Sequence, residues 1–216
     1  MKQVLLYTSK FLMFVFLRLF FKLEISGRER IPARGRLILA PNHQSNWDPP
    51  LVGIAATRQV CFAAKKQLFE PLPQRLLLTL LNTIPLDRHG LDRHSLRRME
   101  TVLDRGGALV LFPEGTRSTT GELGRGRDGI GLLALQTQAD LLPVYLDGTR
   151  GAWPRCWRRH CLRLRFGELI AIAPFLEASE PRRQVIRRLS EQVMNGIRKE
   201  QEAMMGAPTD ETSVSQ

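Results

Sequence analysis

The stretch Asn42-His43-Gln44-Ser45-Asn46-Trp47-Asp48 carries residue types suited to proton transfer. A free imidazole titrates near ~6.5, which suits removal of a proton from an alcohol at neutral pH. Asp48 stands five residues after His43. If the loop curls back, its carboxylate can accept a hydrogen bond from the far ring nitrogen. That bond would fix the tautomer and stabilise the imidazolium formed during transfer. In isolation the pattern has a plainer reading, a structural histidine beside an aspartate that N-caps the next helix. The two readings are compatible, because a carboxylate has two oxygens.

A second group is Phe112-Pro113-Glu114-Gly115-Thr116-Arg117-Ser118. Gly115 lets backbone approach a ligand closely. Arg117 offers a planar fork for phosphate oxygens, with the Thr116 and Ser118 hydroxyls beside it. Glu114 could hold that arginine or bind a substrate hydroxyl. The alternative is a surface turn with a local Glu–Arg pair. A third group, Ile84-Pro85-Leu86-Asp87-Arg88, places Arg88 after a short apolar strand, where it could meet the same phosphate. Lys65 and Lys66 end another strand and could add positive potential. Each of these cations could equally be an ordinary solvated side chain.

Taken in order, four blocks resemble those of the glycerolipid acyltransferases, most closely the bacterial 1-acylglycerol-3-phosphate acyltransferase type. They are Asn42-His43-x-Ser45-x-x-Asp48, Pro85-x-x-Arg88, Phe112 to Ser118, and Leu142-Pro143-Val144. The resemblance covers roughly residues 25 to 170. The His-x-x-x-x-Asp block is unspecific by itself, whereas Phe-Pro-Glu-Gly-Thr-Arg-Ser is highly specific. The resemblance implies that His43 is the general base and Asp48 its orienting partner. It implies that Arg88, Glu114 and Arg117 hold the glycerol phosphate, and that Pro143 and its neighbours shape the acyl or acceptor pocket. It further implies acyl-coenzyme A or acyl-carrier protein as donor, and neither cofactor nor metal. This sequence departs from the family pattern at Asn82, where glycine is common, and at Ile84, where an aromatic residue is frequent. Arginines also replace the usual lysines between Gly124 and Arg127.

The elements that must position these groups follow from apolar patterning. Leu37 to Pro41 and Ala108 to Phe112 are compact apolar runs, expected as buried strands. Leu23 to Ile25, Gln59 to Ala64, Thr83 to Leu86, Leu141 to Leu146 and Leu162 to Phe166 are also expected as strands. Helices are expected over Pro49 to Thr57, with Asp48 as N-cap, and over Leu68 to Leu81, Leu91 to Arg105, Ile130 to Gln138 and Pro181 to Met205. Pro113 to Arg127 is a glycine-rich polar loop. The alternation predicts an α/β single domain, a largely buried mixed sheet flanked by helices, over residues 23–205. In such sheets ligands sit beyond the strand ends, where these blocks fall.

Val4 to Phe21 is a mostly apolar run interrupted by the charges of Lys10 and Arg18. As a helix it is about 27 Å long, just short of a bilayer core of about 30 Å. The two cations oppose a full span and favour a membrane-interface helix over residues 1–22, its lysine and arginine snorkelling while Phe11, Phe14, Leu17 and Phe21 enter lipid. Residues 206–216 have the composition of a disordered tail. The net charge of +11 calls for an anionic partner. Trp153 and Trp157 interleave with Arg155, Arg158, Arg159, Arg163 and Arg165, and Arg182, Arg183, Arg187 and Arg188 mark a second basic face. Such patterns suit single-stranded nucleic acid or an anionic bilayer, and the apolar N-terminus favours the bilayer. The three cysteines, Cys61, Cys156 and Cys161, form no Cys-x-x-Cys pair and argue against a disulfide scaffold or a zinc ribbon. The four histidines lack the spacing of a metal-binding helix. The resemblance implies a lysophospholipid and an acyl thioester as partners, and the charge and apolar N-terminus add an anionic membrane, expected on the cytoplasmic side of the plasma membrane, without nucleic acid.

Overall fold

Leu37 to Pro41 is buried at every position, as a central parallel strand covered on both faces requires. Around it a computed structural model describes residues 22–72, 83–86, 93–150 and 161–206, with positions 15, 75, 78 and 79; the side chains of Lys65, Leu86 and Cys161 are not described. In chain order the elements are β1 (Lys22–Ser26), β2 (Leu37–Pro41), α1 (Asp48–Ala55), β3 (Val60–Lys65), β4 (Thr83–Leu86), α2 (Arg93–Asp104), β5 (Ala108–Val110), α3 (Gly129–Thr137), β6 (Asp140–Asp147), β7 (Cys161–Phe166), α4 (Ala173–Leu176) and α5 (Arg182–Met205).

The seven strands form one sheet in the order β1-β7-β6-β2-β5-β3-β4. The run β6-β2-β5-β3-β4 is parallel throughout. β7 lies antiparallel to β6 and parallel to β1. The sheet is therefore mixed, as the sequence predicts. Alternate residues serve opposite faces. Leu37, Leu39, Val110, Leu142 and Val144 join one core with Leu51 and Val52 of α1. Ile38, Ala40, Leu109, Leu141 and Tyr145 join the other with Met99 of α2, Leu133 of α3 and Leu189 and Val193 of α5.

Pro143 lies inside β6, where a proline would normally break a ladder. The β6–β7 pairing begins one residue later, at Val144↔Phe166. Its ring instead meets α5: a Cβ at Gly196 would lie 2.5 Å from Pro143 Cγ. Pro143 thus lies under α5, on the face of the sheet that α5 covers.

Lys66–Phe69 is a 3₁₀ turn, so the leucine-rich stretch does not begin as α-helix at Leu68; helix occurs at 72, 75, 78 and 79. The expected interfacial helix and the expected 206–216 tail fall almost wholly outside the described residues, and Trp153 to Arg159 falls wholly outside them. No helix among the described residues is long and apolar enough to cross a membrane. Four arginines of the expected basic faces have carboxylate partners: Arg163 pairs with Asp147 at 2.6 Å, Arg165 with Glu200 at 3.0 Å, Arg187 with Glu191 at 2.9 Å and Arg188 with Glu180 at 3.4 Å.

Candidate active site

The parallel strands deliver their C-terminal ends to one edge of the sheet, and the loops after β2 and β5 meet there. The main chain leaves the sheet at Asn42, which is buried. Its side chain replaces a strand partner: Nδ2 donates to Leu146 O at 3.1 Å and Oδ1 accepts from Leu146 N at 2.7 Å. The β2–β6 ladder is thus extended by one side chain while the backbone turns outward and presents His43.

His43 Nδ1 lies 2.8 Å from Asp48 Oδ2. The same oxygen accepts from Gln44 N at 2.6 Å and Ser45 N at 2.7 Å. The curl of the loop is therefore built on Asp48 itself. Asp48 is fully buried, and its Oδ1 has no hydrogen-bond partner among the described residues. This corrects the helix-cap expectation: Trp47 holds the N-cap position with no side-chain cap bond, and Asp48 is the first helical residue. Its carboxylate faces the loop behind it because three donors converge there. The His43 ring stacks on Phe112, with centroids 4.0 Å apart and planes inclined by 24°. Its side chain is 16% exposed, and Nε2 has no partner among the described residues.

The loop after β5 grips His43 by its backbone. Glu114 Oε1 accepts the His43 amide N–H at 2.9 Å, and the Ser118 N–H donates to His43 O at 2.7 Å. Glu114 Oε2 accepts from Gly124 N at 2.9 Å. Both oxygens of the buried Glu114 are thus engaged by main-chain amides. Glu114 does not pair with Arg117, which corrects the local Glu–Arg pair considered from sequence. Arg117 instead reaches back to the first block, with Nη1 donating to Asn46 Oδ1 at 3.1 Å. Gly115 and Thr116 are exposed beside it. Gly115 has φ +69°, a left-handed conformation that favours glycine.

Lys66 opens the 3₁₀ turn after β3. Lys65 ends β3 with its side chain outside the described set, and Arg88 lies wholly outside the described residues. Ser45 is spent on local structure, its Oγ accepting from Trp47 N at 3.3 Å. Burial pushes the Cys61 thiol up, away from the thiolate form a nucleophile needs. Sequence reasoning missed Asn42 as a ladder substitute and the double backbone grip on His43. Both are contacts between residues 71 or more positions apart, for which local spacing gives no signal.

A family model described as Acyltransferase matches residues 22–147, which contain both loops. The chain belongs to this acyltransferase family. Among curated relatives, the chloroplast 1-acyl-sn-glycerol-3-phosphate acyltransferase LPAT1 of Arabidopsis thaliana is 29% identical over 140 residues, 62% of this chain and 38% of the relative. A 1-acyl-sn-glycerol-3-phosphate acyltransferase of Cocos nucifera is 34% identical over 134 residues, 60% and 42%. One from Pseudomonas aeruginosa is 27% identical over 154 residues, 63% and 54%. The acyltransferase chain thus spans roughly two fifths to a half of the length of these relatives. Its fold is that of the 1-acyl-sn-glycerophosphate (LPA) acyltransferase PlsC from Thermotoga maritima, with TM-score 0.71 at 23% identity, covering 96% of this chain and 83% of that one.

Proposed function

We propose that this acyltransferase moves a fatty acyl group from a thioester to the free hydroxyl of 1-acylglycerol 3-phosphate, giving phosphatidic acid. The observation that carries the reading is the 2.8 Å His43–Asp48 contact, in a loop that Arg117 reaches from the neighbouring loop through its bond to Asn46. With Nδ1 engaged by Asp48, Nε2 is the nitrogen left to take the acceptor's proton. The acceptor oxygen bonds to the thioester carbonyl carbon as His43 accepts that proton. The C–S bond then breaks, and the thiolate recovers the proton from Nε2. Atoms and charge balance without a covalent acyl-enzyme. Arg117 and Arg88 bind the glycerol phosphate, with Gly115 and Thr116 lining the approach and Lys65 and Lys66 adding positive potential. The donor is acyl-coenzyme A or acyl-carrier protein.

The relatives named 1-acyl-sn-glycerol-3-phosphate acyltransferase support this choice of acceptor. Residues 1–22 serve as the interfacial helix, which brings the site to both lipid substrates at the cytoplasmic face of the membrane. The exposed, helical Val15 is consistent with this.

The test is turnover of lysophosphatidic acid with a panel of acyl thioesters, by wild type, His43→Ala, Asp48→Asn and Arg117→Ala. His43→Ala is expected to lose about 10²–10⁴-fold or more in kcat. Asp48→Asn should fall in the same range, and Arg117→Ala should chiefly raise the acceptor KM. Wild-type turnover by a folded His43→Ala protein would remove the proposed base.

A further inference from the structure

We propose that Arg127 is a further cation for the acceptor's phosphate, paired with Arg117 across Gly115, and that it favours a phosphomonoester over a phosphodiester. This rests on the lysophospholipid reading above. The guanidinium of Arg127 lies on the backbone of Gly115: a Cβ there would stand 2.9 Å from Nε, 3.0 Å from Cδ and 3.2 Å from Cζ. Arg127 therefore flanks the same Glu-Gly-Thr-Arg segment that carries Arg117.

Two hydrogen bonds close the long loop after β5 and return Arg127 to its start. Arg127 N donates to Pro113 O at 2.9 Å, and Gly124 N donates to Glu114 Oε2 at 2.9 Å. The flanking glycines permit this path. A Cβ at Gly124 would lie 2.8 Å from Glu114 Oε2, and one at Gly126 would lie 2.6 Å from Met194 Cγ. Arg125, between them, goes elsewhere. It lines a cleft of about 260 Å³ against α5, with Arg187, Ser190 and Arg198. The Gly-Arg-Gly-Arg stretch thus sends one arginine to α5 and one to Gly115.

Among the described residues, neither Arg117 nor Arg127 has a carboxylate partner, unlike Arg163, Arg165 and Arg187. Two like charges on one loop repel, and a dianion between them offsets that repulsion. A phosphomonoester carries about −1.5 to −2 at pH 7, where a diester carries about −1. Arg127 beside Arg117 therefore adds discrimination for the second charge.

The test measures KM for lysophosphatidic acid in Arg127→Gln, Arg127→Lys and, as a charge-matched control, Arg125→Gln. A calorimetric titration with glycerol 3-phosphate, a monoester, and glycerophosphoglycerol, a diester, reads the same contact without turnover. Arg127→Gln is expected to raise KM about 10- to 100-fold with little change in kcat. It should weaken glycerol 3-phosphate binding by a similar factor and the diester by less than about threefold. Arg127→Lys should recover part of the loss, and Arg125→Gln should leave acceptor KM unchanged. An unaltered KM in Arg127→Gln, equal losses for monoester and diester, or the same loss in Arg125→Gln would each overturn the assignment. If wild type does not acylate lysophosphatidic acid, the lysophospholipid reading fails, and the titration still decides whether Arg127 binds a phosphomonoester.

Discussion

Glu114 holds His43 by its backbone, across 71 positions of sequence, through a 2.9 Å bond from the His43 amide to Oε1. Its second oxygen takes the Gly124 amide. The carboxylate thus couples the loop that carries the imidazole to the loop that carries Arg117 and Arg127. Both amides are donors, so both acceptor oxygens are required.

Glu114→Gln tests that bracket. A glutamine offers one oxygen and one NH₂ group, so one amide must face a donor in a buried setting. The cost of leaving such a group unpaired is about 1–3 kcal/mol. Melting should fall by about 2–4 °C per kcal/mol for a chain of this size. Turnover should drop further than folding does, because even a displacement of ~1 Å at the reacting group costs ~10²-fold. Melting and kcat both at wild-type values would refute the bracket.

How far the sequence anticipated this site can be read from individual residues. Leu37–Pro41 and Thr83–Leu86 are found at the expected bounds, because short apolar runs between turn residues have few alternatives. His43 and Asp48 were recognisable as a pair, since five residues of loop can close on themselves. The other contacts were not legible. The Glu114–His43 bond depends on β5 lying beside β2, a matter of strand order. Arg165 read as part of a basic face, yet its charge is met by Glu200, 35 residues on. Asp48 read as a cap because capping is what an aspartate before a helix most often does. Two of its three donors belong to the loop's own backbone, which spacing does not reveal.

Cys61 gives a test of direct transfer. It is partly buried, and burial pushes its thiol pKa up. The thiolate that would attack a thioester is thus disfavoured. Cys61→Ala should keep kcat within about twofold, the usual scatter for a residue outside the chemistry. The wild-type protein should show no burst of free thiol on mixing with the acyl donor. A burst matching enzyme concentration, abolished in Cys61→Ala, would make the covalent route correct.

The α5 contact is set by two glycines. A Cβ at Gly131 would lie 2.2 Å from Ile186 O, and one at Gly196 would lie 2.5 Å from the rigid Pro143 ring. Neither neighbour can move as the end of a flexible side chain would. Gly131→Ala and Gly196→Ala should each destabilise by about 1–3 kcal/mol through overpacking. This should appear as a lower denaturant midpoint with unchanged m-value. Midpoints equal to wild type would mean that α5 does not seat as closely as described.

Glu200 anchors the far end of α5. It is buried, and its Oε2 accepts from Arg165 Nε at 3.0 Å while Oε1 lies 3.5 Å from Arg30 Nη1. Arg30 also donates to Phe166 O at 2.8 Å, so this one carboxylate joins α5, β7 and the turn after β1. Removing one member of a fully buried ion pair costs about 3–5 kcal/mol. Here both arginines are about one-third exposed, 34% and 31%. Water therefore solvates them when the carboxylate is lost, and Glu200→Ala should cost about 1–3 kcal/mol. The double variant Arg165→Met/Glu200→Leu removes most of the charge together and should recover part of that loss, since matched apolar replacements of ion pairs are often near neutral. Denaturant unfolding of the single and double variants measures both. If Glu200→Ala unfolds at the wild-type midpoint, the three-way tie contributes nothing to stability.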